Sequence, residues 1–204
     1  MEIVDNFLPT VPVKKELLNS KTGEREKFKI GMAARPVMGK GHLTLIRAVE
    51  YLESLDFPFS LEFIGDGIEE WDFLVHEIEK STARDQIRLL PSRDHLEDWY
   101  ESLDCYVLAS EEWESFPNTL TEAIMLECPV ISSDVANIAR AKFGIRQIFP
   151  IGDSAALGKL LRAKAEESQK ETRTECMRLK ELLLVSYSNS KSFLQWEKFW
   201  TQID

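Results

Sequence analysis

The 204-residue chain has only three cysteines, Cys105, Cys128 and Cys176, widely spaced and without a C-x-x-C pair. That excludes a disulfide framework, offers no zinc-ligand spacing and suits a reducing compartment. Basic residues are also outnumbered: 25 Lys and Arg against 35 Asp and Glu give a formal net charge of −10. A surface of that sign repels nucleic acid and anionic lipid, so no nucleic-acid partner is expected and an anionic ligand needs a local basic pocket. No apolar run approaches the roughly 20 residues that span a bilayer. The opening MEIVDNFLPT lacks the basic and apolar regions of a signal peptide. A cytoplasmic protein is expected, with peripheral contact at the inner membrane face left open. Internal repeats and low-complexity segments are missing too. So is a Walker loop, because MGKGH at 38–42 has neither the G-x-x-x-x-G-K spacing nor a following Ser or Thr.

What is present is a regular alternation. A hydrophobic content of 44% is ample for a packed core. Residues 1–27, with Pro9, Pro12 and the charged run KTGEREK, show little periodicity and read as a linker or arm. From Phe28 onward, apolar runs of strand length alternate with amphipathic stretches. FKIGMA precedes a helix from His42 to Leu55, FSLEFIG a helix over EEWDFLVHEIEKS, and IRLLP a helix over DHLEDWYESL. DCYVLAS, a helix starting near Pro117, CPVISSD, a short helix around ANIARAKFG, and IRQIFPI continue the series. Strands joined by single helices form βαβ units, so the expected fold is α/β, a doubly wound, Rossmann-like parallel sheet over 28–165, with C-terminal helices over 166–204. Ligands of such sheets bind where strand carboxyl ends lead into helix N-termini.

Three loops at that end carry candidate chemistry. AARPVMGKGH sets Arg35 and Lys40 around a glycine-bearing turn, which reads either as a diphosphate cradle beside free helix N–H groups or as an exposed loop with two solvated cations. GDG at 65–67 reads more simply as a turn. In ESFPNTLTEAIMLECPVI, Pro117 and Asn118 mark a helix start with Asn118 as its cap, which puts Glu114 in the preceding loop and Glu122 inside the helix. Alone, two acids near a helix N-terminus merely complement its dipole, for roughly 0.3–1 kcal/mol. Paired with Arg35 and Lys40 on the matching loop of the first βα unit, they suggest a single ligand site, with one carboxylate facing it from the loop and the other from the helix.

ARPVMGKGHLTLIRA, LEFIGDGIEE and ESFPNTLTEAIMLECPVISSD, in that order, resemble the C-terminal, donor-binding half of the retaining GT-B glycosyltransferases of family GT4, whose E-x7-E signature matches Glu114 and Glu122. The resemblance covers about residues 28–165. It implies transfer of a hexosyl group from a nucleoside diphosphate sugar, with UDP or GDP as the carrier, to a glycan or lipid-linked acceptor, as in polysaccharide biosynthesis. Arg35 and Lys40 would neutralise charge growing on the diphosphate, so no metal and no cofactor are expected. Glu122 would accept hydrogen bonds from the ribose diol, and Glu114 would lie near the donor sugar and join Arg35 and Lys40 as catalytic residues. Phe116, Pro117, Asn118 and Thr119 would line the helix start, where backbone N–H groups meet the phosphate and sugar. Gly65 and the base-binding loop at Leu90, Pro91 and Ser92 complete the implied contacts. His42 reads as a helix-start residue rather than a catalytic one, and His76 and His95 as helical surface positions.

The chain departs from the family pattern in three places. The glycine usual after the E-x7-E helix is Glu127, and the Gly-Gly usual after the next strand is Ala136-Asn137. An acceptor-binding half does not fit within residues 1–27, so an N-terminal GT-B half is expected as a partner, in cis or in trans. The stripe Phe193, Trp196 and Trp200 would pack on its own domain or cross to that half. The main alternative is a non-catalytic nucleotide-sugar-binding module with the same fold. A sugar-nucleotide epimerase or a phosphorylase fits less well, because the carboxylate–histidine set of the first and the pyridoxal lysine motif of the second cannot be placed.

Overall fold

The computed structural model describes residues 27–112, 114, 116–135 and 144–187. Six strands form one sheet: β1 (Phe28–Ala33), β2 (Phe59–Gly65), β3 (Ile87–Pro91), β4 (Cys105–Leu108), β5 (Val130–Ser133) and β6 (Ile148–Phe149), in the order β3-β2-β1-β4-β5-β6. Every pairing is parallel. The helices are α1 (His42–Glu53), α2 (Asp72–Lys80), α3 (Glu97–Ser102), α4 (Asn118–Met125), α5 (Ser154–Glu166) and α6 (Gln169–Tyr187). One-turn 3-10 helices at Ile68–Glu70 and Arg84–Gln86 precede α2 and β3. The expected doubly wound parallel sheet is therefore the observed one.

Period-two alternation explains why helices cover both faces. Ile30 and Met32 of β1, Leu61 and Phe63 of β2, and Cys105 and Val107 of β4 point to one side, where they pack with Leu45, Val49 and Leu52 of α1 and Leu157 and Leu161 of α5. Ala33, Ile64, Tyr106, Leu108 and Val130 point to the other, against Leu120 and Ile124 of α4 and Leu179 and Leu183 of α6. Gly31 makes the second layer possible, since a Cβ there would lie 2.4 Å from Leu103 and 2.7 Å from Trp99. Burial on both faces is what removes the polar alternation from these strands.

Several boundaries are shorter than the hydrophobic pattern suggests. The helix expected over 69–81 is broken at Trp71, whose extended backbone separates the 3-10 turn from α2. The one expected over 94–103 begins only at Glu97, so His95 lies ahead of it, exposed, with Nδ1 3.7 Å from Glu97. IRQIFPI supplies a strand of just two residues. Residues 1–26, the helix expected over 136–144 except for Gly144, and the stripe Phe193, Trp196 and Trp200 lie outside the described residues.

Candidate functional site

The strand order reverses between β1 and β4, and the two loops leaving those neighbouring strands diverge there to opposite faces of the sheet. The loop after β1 carries Arg35 and Lys40, and the loop after β4 leads through Glu114 into α4. Glycines hold the two loops together. Gly39 and Gly41 have φ of +83° and +81°, and a Cβ on Gly41 would fall 1.9 Å from the Ala109 carbonyl oxygen. The Gly39 carbonyl accepts from the N–H groups of Glu111 at 2.7 Å and Glu112 at 3.3 Å, and Thr44 Oγ1 donates to Glu111 at 2.5 Å.

Within this frame Lys40 Nζ donates to Glu114 Oε1 at 2.5 Å, and both side chains are largely covered. Ser110 Oγ donates to the same carboxylate oxygen at 2.7 Å, and the Ser110 carbonyl in turn accepts from Ser133 Oγ at the end of β5. Glu114 Oε1 thus holds two donors, leaving Oε2 without a partner among the described residues. Arg35 is exposed and unpaired among them. The Lys40 ammonium lies on the Glu114 carboxylate, and the backbones of Glu111 and Glu112 lie against the Gly39 carbonyl of the same loop. An anion entering here must draw Lys40 away from Glu114 or share it.

At the start of α4 the expected cap is corrected. Pro117 takes the cap position and Asn118 is the first helical residue, with no side-chain capping bond. Pro117 has no N–H to offer and fits where the helix would leave one unused. Its carbonyl accepts from Leu120 and Thr121, so the N–H groups of Asn118 and Thr119 remain at the helix end, pointing out of it. The Phe116 side chain is buried in the core just ahead of the helix start.

Glu122, in the second turn, is half-buried. Its Oε2 accepts from Tyr100 Oη at 2.9 Å, and burial raises its carboxyl above the usual range, partly opposed by that hydrogen bond. Tyr100 Oη also lies 3.2 Å from the Thr119 carbonyl, and Tyr106 Oη donates to Thr119 Oγ1 at 2.7 Å. Both tyrosines are buried, which pushes their hydroxyls well above the ordinary value. Neither these tyrosines nor Ser110 stands out in the sequence, because an aromatic in an amphipathic helix or apolar strand, like a serine ending one, reads as core.

The other expected positions lie further off. Gly65 ends β2, and a Cβ there would meet the Ala34 carbonyl at 2.3 Å, so its smallness lets the β1 loop pass. Pro91 is exposed opposite Gly65 in the register, while Leu90 is partly buried against the core. Both lie on the edge strand, separated from β4 by β2 and β1. His42 is the first residue of α1, with its ring 5.4 Å from that of Phe63 and 5.3 Å from that of Trp71. Burial, then the nearby Lys40, lower its pKa to about 4, and neither ring nitrogen has a partner among the described residues. His76 is exposed on α2. Among the described residues, no group of three or more His, Cys, Asp or Glu could hold a metal ion.

A family model described as "Glycosyl transferases group 1" matches residues 27–163. The chain belongs to that family. Its fold recurs in a glycosyltransferase from Rickettsia africae ESF-5, with a TM-score of 0.76 at 18% identity, covering 88% of this chain and 48% of that one. Anabaena HepE has a TM-score of 0.75 at 17% identity, covering 86% and 48%. The sucrose-phosphate synthase of Thermosynechococcus elongatus has a TM-score of 0.75 at 19% identity, covering 87% and 46%. The chain thus spans about half the length of each of these three solved proteins. No curated protein matches it significantly in sequence. No described helix is long and apolar enough to cross a membrane.

Proposed function

We propose that this glycosyltransferase chain is the donor-binding half of a retaining, metal-independent GT4-like enzyme that moves a hexosyl group from a nucleoside diphosphate sugar to a glycan or lipid-linked acceptor. In this reading residues 28–165 form the donor domain, residues 166–204 its C-terminal helices and residues 1–27 the connection to an acceptor-binding half, in cis or in trans. The observation that carries it is the meeting of Lys40, Glu114 and the open N-terminus of α4 at the β1/β4 switch point. Anabaena HepE, of the same fold, was solved with UDP and glucose, which favours a nucleoside diphosphate as the ligand.

The chemistry needs little from the protein beyond charge and position. As the bond from the anomeric carbon to the diphosphate breaks and the acceptor oxygen takes its place, passing its proton to the departing diphosphate, negative charge grows on the leaving phosphate. Lys40, Arg35 and the Asn118 and Thr119 N–H groups would meet that charge. Glu122 would accept from the ribose hydroxyls, and Glu114, fixed by Ser110, would face the sugar with its free Oε2. Orienting the acceptor hydroxyl against the anomeric carbon is worth roughly 7–11 kcal/mol and requires a second wall that also excludes water. The chain alone should therefore bind donor without transferring it.

The test is a thermal-shift screen of UDP-, GDP- and ADP-sugars, followed by nucleoside diphosphate release with acceptors, with and without an added N-terminal GT-B half. A ligand at 100 times its dissociation constant should stabilise the fold by about 2.7 kcal/mol. Release should appear only with the second half present. Acceptor-dependent release by the purified chain alone would refute the half-site reading, and no shift with any nucleotide sugar would refute donor binding.

A further inference from the structure

We infer that Tyr100 is a positioning residue for donor recognition: its hydroxyl holds the Glu122 carboxylate in the single orientation from which it reads the ribose diol. The inference rests on the proposed role of Glu122 and adds a residue to it. Tyr100 is 1% exposed and wedged between the rings of Trp99 and Tyr106, at 5.0 and 5.6 Å, so it cannot follow a ligand. Among the described residues its hydroxyl reaches only α4, with Glu122 Oε2 at 2.9 Å and the Thr119 carbonyl at 3.2 Å. A phenol has one proton to donate, and the carboxylate is the stronger acceptor. A glutamate has three rotatable bonds, and half-buried on the second turn of a helix it would otherwise sample several orientations. One oxygen held by a rigid donor fixes the carboxylate plane and leaves Oε1 and the second lone pair of Oε2 for a ligand.

The Tyr100 hydrogen bond also favours the ionised form of Glu122, which suits the diol because only the carboxylate is a pure acceptor. Among the described residues the titratable groups facing Glu122 are Tyr100 and Glu97 from α3 and Tyr106 from β4, with His95 Nδ1 3.7 Å from Glu97. Burial and Glu97 both push protonation upward. Among these, the Tyr100 hydrogen bond opposes them.

Two readouts test this, one of which needs no ligand. In the carbon NMR titration of the Glu122 carboxyl, assigned by its loss in Glu122→Gln, Tyr100→Phe should raise the midpoint, because the hydrogen bond that favours the carboxylate is gone. Glu97→Gln, which leaves the packed ring untouched and so guards against misfolding of the tyrosine variant, should lower it. In calorimetry, the tightest binder among UDP, GDP and ADP is compared with its 2′,3′-dideoxy analogue. Tyr100→Phe should cut the preference for the ribose form by roughly threefold or more at neutral pH and shift the loss of that preference to higher pH. An unmoved Glu122 titration with an unchanged preference would overturn the inference. If Glu122→Gln itself leaves the preference intact, the ribose reading of Glu122 fails and takes the recognition role with it. A moved titration in that case would leave Tyr100 merely a structural partner.

Discussion

As the pH falls from about 8 to about 5, above the range where the depressed Glu175 carboxyl titrates, this fold should lose stability through His42. Its imidazole is 2% exposed, lies between Phe63 and Trp71, and has both nitrogens without a partner among the described residues. The folded pKa falls from 6.5 to about 4. The unfolded chain therefore takes up a proton that the folded chain refuses. Stability is complete above the unfolded value, declines as pH falls through it and levels off below the folded one. At about 1.36 kcal/mol per pH unit the whole separation is worth roughly 3 kcal/mol, of which about 2 kcal/mol is gone by about pH 5. The Glu122 carboxyl, raised on folding, works in the opposite direction and adds stability as pH falls. The comparison with His42→Phe therefore isolates the imidazole. Urea denaturation between about pH 8 and pH 5 should show the loss in wild type and a flatter profile in His42→Phe, whose ring fits an aromatic slot and leaves no unpaired nitrogen. Equal pH slopes in the two proteins would refute the reasoning.

Three other substitutions probe the loops. Glu114→Gln should tighten binding of a plain nucleoside diphosphate, because Lys40 is freed from a carboxylate 2.5 Å away, while a sugar-bearing donor gains less. Calorimetry giving equal changes for both ligands would contradict that role. Gly41→Ala should cost roughly 3 kcal/mol or more in denaturant unfolding, since it adds left-handed strain to a collision with the Ala109 carbonyl at 1.9 Å. A stability near wild type would mean that the loops are not packed as described. Glu127→Gly should stabilise by up to about 1 kcal/mol, because Glu127 has a φ of 56° and its exposed pair with Lys180 returns little. A lower melting temperature would show that the ion pair outweighs the strain.

The fold was legible because its strands are buried on both sides. FKIGMA, FSLEFIG and DCYVLAS read as strands from their apolar runs, and all three pair in parallel as the βαβ alternation requires. The short elements were less legible. IRQIFPI has the composition of a strand, yet only Ile148 and Phe149 pair with β5 at the sheet edge, a limit set by register that local pattern does not carry. Of the site, Arg35, Lys40, Glu114 and Glu122 stood out as charges on loops and a helix start. Which charges touch did not, because Lys40 and Glu114 are 74 residues apart in sequence and meet only through the adjacency of β1 and β4. The supporting groups, Ser110, Tyr100 and Tyr106, were invisible because a hydroxyl inside an apolar element gives no signal until its partner is known. The Glu127 departure gains a physical meaning only with its backbone angle: the position demands a left-handed residue, and glycine supplies one without strain.

The central claim is that Lys40, at the switch point of the sheet, binds the diphosphate of a sugar donor. Calorimetric titration of UDP, GDP and ADP into wild type and Lys40→Ala, both checked for folding, tests it most directly. One of the three should bind wild type, and the variant should lose about tenfold or more in affinity, matching the 1.5–3 kcal/mol of a hydrogen bond to a charged group. Equal affinity in the two proteins, or no binding of any of the three to wild type, would contradict the account.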